Sequence, residues 1–248
     1  MERITSAKNP LIAHLKKLHT DRAYRAQCGQ FLCEGRKLLR EALQWYPKID
    51  TVVAAEGFEL PELPPGTRVV TVPESLMERI SVMKSPQGVL FTCALPVERP
   101  LTVRRGMLLL DRIQDPGNLG TILRTADALD VPVLLTNGCA DPFSEKTVRA
   151  SMGAVLRTPP QSAPMEEILA ACRAQGVPLA ATALAPDSED LRRVHMNDYL
   201  VVIGSEGQGI CQELLDASDK KIIIPMQQRC ESLNAAVAAT IVLWQMRN

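Results

Sequence analysis

Apolar residues along the chain follow two patterns, short continuous runs typical of buried strands and longer stretches with the spacing of a helix. Leu11, Leu15 and Leu18 have helical spacing and predict a helix near the start of the chain. The elements predicted after it are a strand at 31–35, a helix at 36–45, strands at 49–55 and 67–72, a short helix at 75–81 and a strand at 88–94. Strands that alternate with helices indicate a small α/β domain, which we assign to residues 1–95.

A second α/β domain is predicted for residues 105–248, after a linker at 96–104 that contains two prolines. The predicted strands are 107–111, 131–136, 178–184, 199–207 and 220–226, and the predicted helices are 119–129, 144–156, 165–175, 211–218 and 232–246. Strand cores such as 200–204 are apolar throughout, which is typical of parallel strands buried on both faces. The expected fold class is therefore α/β, with a parallel sheet in the C-terminal domain and a smaller α/β domain before it.

Composition and residue spacing narrow the class of protein. Hydrophobic residues are 46% and charged residues 23% of the chain, which is ordinary for a globular protein. The chain has neither an apolar run of about 18 residues, as a membrane span needs, nor the apolar core of a signal peptide, so we expect a cytoplasmic protein. Seven cysteines without CxxC spacing and three scattered histidines favour neither disulfides nor a metal site.

Basic charge is concentrated at the N-terminus, although the net charge of the whole chain is zero. Residues 1–48 contain ten Lys or Arg and four Asp or Glu, a charge of +6, whereas residues 49–248 contain 18 and 24, a charge of −6. Such a patch can bind phosphates with release of counterions, and it is equally compatible with a solvated helix face. The side chains concerned are Lys8, Lys16, Lys17, Arg22, Arg25, Arg36, Lys37 and Arg40.

The first of three polar turns at predicted strand ends spans residues 111–118. Ligands bind at the carboxyl ends of strands in open α/β sheets, so these turns are candidate sites. We expect Asn118 to cap the helix that follows. At 100° per residue, Arg124 lies opposite the apolar arc that contains Leu119 and Ile122. Arg124 is therefore either an ordinary solvated arginine or a guanidinium directed at a phosphate.

The second turn spaces Gly204, Gly207 and Gly209 as GxxGxG, with Glu206 at its tip. This spacing is neither the GxGxxG of a dinucleotide-binding fold nor a P-loop with its lysine. The glycines either let the backbone approach a ligand closely or only form a tight turn between a strand and a helix.

The third turn follows a strand that ends at Pro225. We expect the hydroxyl of Ser232 to cap the last helix. Four alanines in that helix have side chains small enough to let another backbone segment approach closely. Such a close approach occurs at ligand sites and also where two elements simply pack against each other. The four alanines are Ala235, Ala236, Ala238 and Ala239.

Together these segments resemble the three motifs of the SpoU family of RNA ribose 2′-O-methyltransferases, DxxxDPxNxGxxxRTA, GxEGxG and IPM followed by SLN. The matching residues are Asp111, Asp115, Pro116, Asn118, Gly120, Arg124, Thr125 and Ala126 in the first motif, Gly204, Glu206, Gly207 and Gly209 in the second, and Ile224, Pro225, Met226, Ser232, Leu233 and Asn234 in the third. Between them, Lys146, Arg149, Ser151 and Gly153 are also similar to the family. Residues 9–18 and 31–43 resemble its N-terminal RNA-binding domain.

The resemblance implies a fold and a cofactor. In the family the C-terminal domain is a parallel sheet with a deep trefoil knot, which forms the pocket for S-adenosylmethionine, and members are generally homodimers. The residues implied to hold the cofactor are Gly204, Gly209, Ile224, Met226 and Leu233. The chain departs from the family at Gln228 and Asp130, where relatives often have glycine, so the cofactor turn is expected to differ slightly in shape.

The resemblance also implies a mechanism that needs no metal. It assigns the removal of the ribose hydroxyl proton to Arg124. The side chains that arrange the catalytic site around it are Asn118, Glu206, Ser232 and Asn234. Guanidinium is normally protonated, so binding of a phosphate and stabilisation of the developing alkoxide are an equally physical role for Arg124. RNA contacts are expected from Lys8, Lys16, Lys17, Arg36, Lys37 and Arg149.

The function implied is methylation of a ribose 2′-hydroxyl in RNA, with S-adenosylmethionine as methyl donor. Ribosomal RNA is the first expectation for the substrate, and transfer RNA is the second. A ribosome-assembly factor that keeps the fold without catalysis is an alternative, which the joint presence of the motif residues disfavours. A nicotinamide-dependent oxidoreductase is a further alternative, which the missing GxGxxG disfavours.

Overall fold

The computed structural model describes residues 2–205, 207–227, 229 and 232–247, and the chain divides into two compact units. The first unit comprises residues 1–97 and 143–157. The second comprises residues 98–142 and 158–248. The first crossing between the units lies within the predicted linker, and the return of the chain at 143–157 was not expected.

The first unit contains a five-stranded mixed sheet. Up to residue 97 the elements are β1 (Glu2–Arg3), α1 (Pro10–Thr20), α2 (Arg22–Cys28), β2 (Gln30–Glu34), α3 (Arg36–Trp45), β3 (Ile49–Ala55), β4 (Arg68–Val72), α4 (Glu74–Ile80) and β5 (Val89–Ala94). The strand order is β1-β4-β3-β5-β2; β4 runs parallel to β1 and β3, and β5 runs antiparallel to β2 and β3. Every element predicted in this segment is present, and β1 and α2 are additional.

The second half of the chain contributes the remaining elements. They are β6 (Met107–Asp111), α5 (Pro116–Ala128), β7 (Val133–Thr136), α6 (Glu145–Ala150), α7 (Ala154–Arg157), β8 (Gln161–Ala163), α8 (Met165–Gln175), β9 (Leu179–Thr182), β10 (Glu189–Asp190), β11 (Leu200–Gly204), α9 (Gln212–Asp216), β12 (Lys220–Ile223) and α10 (Ala235–Arg247), with short 3₁₀ turns at Leu191–Arg193 and Met196–Asp198. The single helix predicted at 144–156 is two helices, because Met152 and Gly153 both have positive φ.

The segment 143–157 packs into the core of the first unit, which corrects its predicted place in the C-terminal domain. Val148 and Val155 are buried in the same apolar cluster as Phe31 and Phe91. Phe143 adds a ring contact with Phe31, at 5.0 Å between centroids. These side chains therefore complete the core of the N-terminal sheet.

The second unit is built on a seven-stranded sheet in the order β10-β12-β9-β11-β6-β7-β8, and each neighbouring pair is parallel. In β6, Leu108 and Leu110 belong to one buried cluster, and Met107 and Leu109 belong to another. The first cluster includes α5 and α10, and the second includes α8 and α9. Both faces of the sheet are thus covered, which explains the continuous apolar strands and confirms the predicted parallel α/β fold. The trefoil knot stays a prediction.

Candidate active site

The first two sequence motifs follow strands that end at the same edge of the parallel sheet. β6 and β11 are neighbours in register, with Asp111 opposite Gly204. Because parallel strands end at one edge, the turn after β6 and the loop after β11 meet there, where open α/β sheets bind ligands. β12 belongs to the same sheet and brings the third motif to this edge.

Asp111 connects several segments at this edge. Its side chain is buried, and its Oδ2 accepts hydrogen bonds from the backbone N of Cys211 at 2.8 Å and from Nε of Arg112 at 3.2 Å. Its Oδ1 accepts from the hydroxyl of Thr136 at 3.2 Å. A buried carboxylate with partners on both oxygens holds these segments together. The sequence signal for this role is an acidic residue at the end of an otherwise apolar strand.

Two backbone hydrogen bonds close the glycine loop after β11. Ser205 N donates to Gly209 O at 3.2 Å, and Gly209 N donates to Ser205 O at 2.9 Å. A Cβ on Gly204 would lie 2.2 Å from the backbone carbon of Gly209, so a side chain does not fit there. Gly209 has a φ of +64°, which also favours glycine. Glu206, predicted to arrange the site, lies outside the described residues.

Helix α5 begins one turn earlier than predicted, and its cap is Asp115 instead of Asn118. Oδ1 of Asp115 accepts from the backbone N of Asn118 at 2.8 Å, and Pro116 occupies the first helical position. Proline is favoured there because its missing N–H would have no partner within the helix. The side chain of Asn118 is therefore not engaged as the cap.

Helix α10 is capped by Asn234, which corrects the expectation for Ser232. Oδ1 of Asn234 accepts from the backbone N atoms of Ala236 at 3.0 Å and Val237 at 3.3 Å. Ser232 is exposed and precedes the helix by three positions. The amide nitrogen of the same side chain has a different partner: Nδ2 of Asn234 donates to Oδ1 of Asn118 at 3.2 Å. The first and third motifs are thereby joined by a direct hydrogen bond between side chains.

Arg124 lies on the exposed side of α5, as the helical pattern predicted. Ile122, Leu123 and Ala126 on the same helix are buried in the core. Within the part of the chain that the structure describes, Arg124 is exposed and makes no hydrogen bond or ion pair. Its guanidinium is thus available to an anion.

The segment between β12 and α10 carries the other residues implied to hold the cofactor. Ile224, Met226 and Leu233 are half-buried and lie outside strand and helix. Ile224 packs against the buried cluster to which α5 and α10 contribute. Gln228 lies outside the described residues, so its effect on this turn stays a prediction. Asp130 has a φ of +52°, a left-handed conformation that aspartate tolerates better than most residues and that glycine adopts freely.

Two thiols near Asp111 are poorly suited to act as nucleophiles. Burial raises the pKa of Cys139, whose Sγ lies 3.2 Å from the carbonyl of Leu110. Burial also raises the pKa of Cys211. Both thiols therefore stay protonated near neutral pH, and a thiolate is the reactive form of cysteine.

Among the described residues, no group of His, Cys, Asp and Glu side chains is arranged to hold a metal ion.

The basic residues of the N-terminal patch and Arg149 are exposed in the first unit, with one exception, and all six residues expected to contact RNA are among the exposed ones. The exposed ones are Lys8, Lys16, Lys17, Arg22, Arg36, Lys37, Arg40 and Arg149. Arg149 forms an ion pair with Glu145 at 2.7 Å. Arg25 is buried, and its Nη1 donates to the carbonyl of Leu18 at 2.6 Å. Arg25, which belongs to the N-terminal basic patch, therefore stabilises the fold and is not available to a phosphate.

The structure is that of an α/β protein with an open parallel sheet, and the glycine loop and the asparagine pair lie at the strand ends where such sheets bind ligands. The model of the SpoU rRNA Methylase family matches residues 106–244, and that of the MRM3-like substrate binding domain matches residues 9–90. The chain belongs to the SpoU rRNA methylase family, a family of methyltransferases. In the described residues, no helix is long and apolar enough to cross a membrane.

Relatives match the chain over its whole length. The 23S rRNA (guanosine(2553)-2′-O)-methyltransferase RlmP of Bacillus subtilis is 33% identical, with all of both chains covered. The AdoMet-bound rRNA methyltransferase from Sinorhizobium meliloti is 33% identical with a TM-score of 0.87, over 99% of this chain and 97% of that one. The SpoU methyltransferase AviRb from Streptomyces viridochromogenes, in complex with AdoMet, is 26% identical with a TM-score of 0.85, over 97% of both chains.

Proposed function

We propose that this protein transfers a methyl group from S-adenosylmethionine to a ribose 2′-hydroxyl of ribosomal RNA. The observation that carries the proposal is the meeting of the three SpoU motifs at one edge of the parallel sheet. There Asp111 accepts from the backbone of Cys211, and Asn234 donates to Asn118. Full-length similarity to a 23S rRNA 2′-O-methyltransferase and to an AdoMet-bound rRNA methyltransferase supports the same chemistry.

The residues at this edge fit S-adenosylmethionine. Gly207 and Gly209 are exposed, and a Cβ at either position would meet no atom within 4 Å, so a ligand can approach the main chain there closely. Half-buried Ile224, Met226 and Leu233 offer apolar contacts beside it. Backbone polar groups next to apolar side chains are the usual surroundings of a small ligand with an aromatic base. When bound, the cofactor supplies an electrophilic methyl group on a sulfonium, so the transfer itself needs no metal.

Arg124 is exposed on α5, the helix that begins in the first motif, and by resemblance to the family it assists the reacting hydroxyl. A guanidinium stays protonated at physiological pH, so we assign it to binding an RNA phosphate and stabilising charge on the ribose oxygen as the proton leaves. Asn118 and Asn234 hold the beginnings of α5 and α10 together and orient groups at the site. Ser232 and Glu206 complete the proposed site by resemblance to the family motifs.

The first unit is assigned to RNA binding. The substrate-binding family model matches residues 9–90, and the exposed basic residues of this part can contact phosphates. We place ribosomal RNA before transfer RNA because the 23S rRNA enzyme of Bacillus subtilis matches the chain from end to end. With a ribosomal substrate, the location that we propose for the protein is the cytoplasm.

A homodimer through α10 is part of the proposal. Val237, Ile241 and Trp244 are spaced by four and three residues on this helix and are 48%, 37% and 62% exposed. Apolar side chains at this spacing form a stripe that a second copy of the helix can cover. Sedimentation of the wild type as a dimer and of Ile241→Glu as a monomer is the expected result, and a monomeric wild type contradicts the dimer.

The decisive experiment compares ribose methylation with and without the protein. Ribosomal and transfer RNA from a strain lacking it are incubated with the purified protein and methyl-labelled S-adenosylmethionine, and 2′-O-methyl sites are mapped. We expect one new site in ribosomal RNA that is also missing in cells of the deletion strain. Transfer only to bases, or no transfer with intact RNA binding, would reject the proposal and favour a binding protein without catalysis.

A further inference from the structure

Arg112 has a backbone conformation that is unusual for its residue type. It follows Asp111 at the end of β6, and its φ is +55°. Residues with a Cβ rarely occupy this left-handed region, because the Cβ crowds the backbone. Its backbone N donates to the hydroxyl of Thr136 at 3.2 Å, which holds the residue in this conformation.

The side chain of Arg112 reaches from the first motif to the glycine loop of the second. Its Nε donates to Asp111 at 3.2 Å, and its Nη1 donates to Oε1 of Gln208 at 3.1 Å. Its Nη2 lies 3.5 Å from the carbonyl of Gly209. The guanidinium thus connects a buried carboxylate at the end of β6 to a side chain and a carbonyl of the loop.

The surroundings leave space for this bridge. A Cβ on Gly138 would lie 2.6 Å from Cγ of Arg112, so a side chain at position 138 would displace the arginine. The left-handed backbone directs the arginine across the sheet edge, and the missing side chain at Gly138 gives it a path. An ordinary surface arginine would need neither feature.

We propose that Arg112 is a positioning residue for the methyl donor, which holds Gln208 and Gly209 where they receive S-adenosylmethionine. This inference rests on the proposed function. Arg112 acts through the loop: it restrains Gln208 and Gly209, and the loop backbone contacts the cofactor. Loss of the bridge should therefore weaken cofactor binding while RNA binding and the rate at saturating cofactor change little.

Arg112→Gly is the main test, because glycine adopts the same φ without strain while the guanidinium is removed. We expect its dissociation constant for S-adenosylmethionine, measured by calorimetry, to rise about tenfold, as for a lost hydrogen bond to a charged group. The KM for the cofactor should rise in parallel. The kcat at saturating cofactor and the affinity for RNA should stay near those of the wild type.

Three further variants separate the bridge from other effects. Gly138→Ala changes no charge and should weaken cofactor binding by displacing Arg112. Arg112→Lys keeps the charge without the planar fork and should restore cofactor binding only in part. Met152→Gly is the matched control: it also places glycine at a positive φ, in the first unit, and should bind the cofactor like the wild type.

The outcomes distinguish the inference from the function on which it rests. Wild-type cofactor affinity in both Arg112→Gly and Gly138→Ala would overturn the role of Arg112 and leave the proposed function intact. Weakened RNA binding with unchanged cofactor binding in Arg112→Gly would also overturn it and make Arg112 a phosphate contact. If the wild-type protein itself bound no S-adenosylmethionine, the proposed function would fail first.

Discussion

Asn234 donates a hydrogen bond from Nδ2 to Oδ1 of Asn118 while its own Oδ1 caps α10. One amide group therefore performs two tasks, since it starts a helix and joins that helix to the beginning of α5. Asn118 takes part only in the second task, because Asp115 caps its helix. The two asparagines should thus differ in their effects on stability although both belong to the site.

The first prediction compares alanine at the two positions. Asn234→Ala should lower the free energy of unfolding by about 1 kcal/mol, the usual cost of a lost cap, whereas Asn118→Ala should change it little. Both variants should slow methyl transfer in single-turnover assays. Asn118→Asp keeps an oxygen acceptor for Asn234 and is the control for the pair. Equal stability losses at the two positions in urea titrations would contradict this division of roles.

The second prediction concerns the exposed lysines of α1. The double variant Lys16→Glu, Lys17→Glu should bind RNA more weakly than the wild type. The slope of the logarithm of its binding constant against the logarithm of the salt concentration should be smaller by about one for each lost phosphate contact. Arg104→Glu with Arg105→Glu changes the net charge equally on an exposed pair of the second unit and is the control. Filter binding over a range of salt concentrations measures both. An equal loss in the control would show that the binding responds to net charge alone.

Deletion of the N-terminal segment would be a poor form of that experiment. The helices of 143–157 would lose the core in which Val148 and Val155 are buried. Exposed apolar side chains favour aggregation, so a weak RNA affinity of the truncated chain would have two explanations. Charge reversal leaves this core intact.

His19 provides a third prediction, on stability and pH. Its Nδ1 is buried without a hydrogen-bond partner in the described part of the chain. Burial, followed by the charges of Arg25 and Arg149, lowers its pKa from 6.5, against the opposing charge of Glu34. The unfolded state then binds the proton more tightly, so His19 costs stability as the pH falls below 6.5.

His19→Gln should therefore reduce the decrease in unfolding free energy that occurs as the pH is lowered. Urea titrations at about pH 7.5 and about pH 5.5 should give a smaller decrease in unfolding free energy for this variant than for the wild type. His195→Gln, at an exposed position of the second unit, is the control for removing one imidazole. A decrease as large as that of the wild type would assign the pH dependence to other groups.

Most long elements could be predicted from the sequence because burial of one or both faces leaves a regular apolar pattern. The sequence also contains a signal for the true cap of α5. Proline is favoured at the first helical position, so Pro116 indicates Asp115 as the cap, in place of Asn118. The strands β1, β8 and β10 have two or three residues, too few for any periodicity. The split at Met152 and Gly153 has a local signal in its glycine, which the apolar pattern around it concealed.

The place of 143–157 could not be predicted from local pattern. Val148 and Val155 show by their spacing that they are buried, and the spacing does not reveal which core receives them. The bridge of Arg112 was hidden for a similar reason, because its partners Gln208 and Gly209 lie almost a hundred positions away along the chain. Such contacts depend on the order of strands in the sheet. The motif resemblance identified the segments that meet, and the structure supplied the contacts between them.

The last prediction concerns Arg124, on which the proposed mechanism depends. The side chain is exposed beside a buried helix face, so Arg124→Ala should leave the unfolding free energy and the cofactor affinity near those of the wild type. Methyl transfer at saturating RNA and cofactor should nevertheless fall by about a hundredfold or more, as when a group that stabilises transition-state charge is removed. Arg124→Lys should recover little, since a point charge lacks the planar fork that can bind a phosphate and the reacting oxygen together. Single-turnover assays separate this loss from weaker binding, and a folded Arg124→Ala protein that transfers methyl groups at the wild-type rate would make Arg124 an ordinary surface residue.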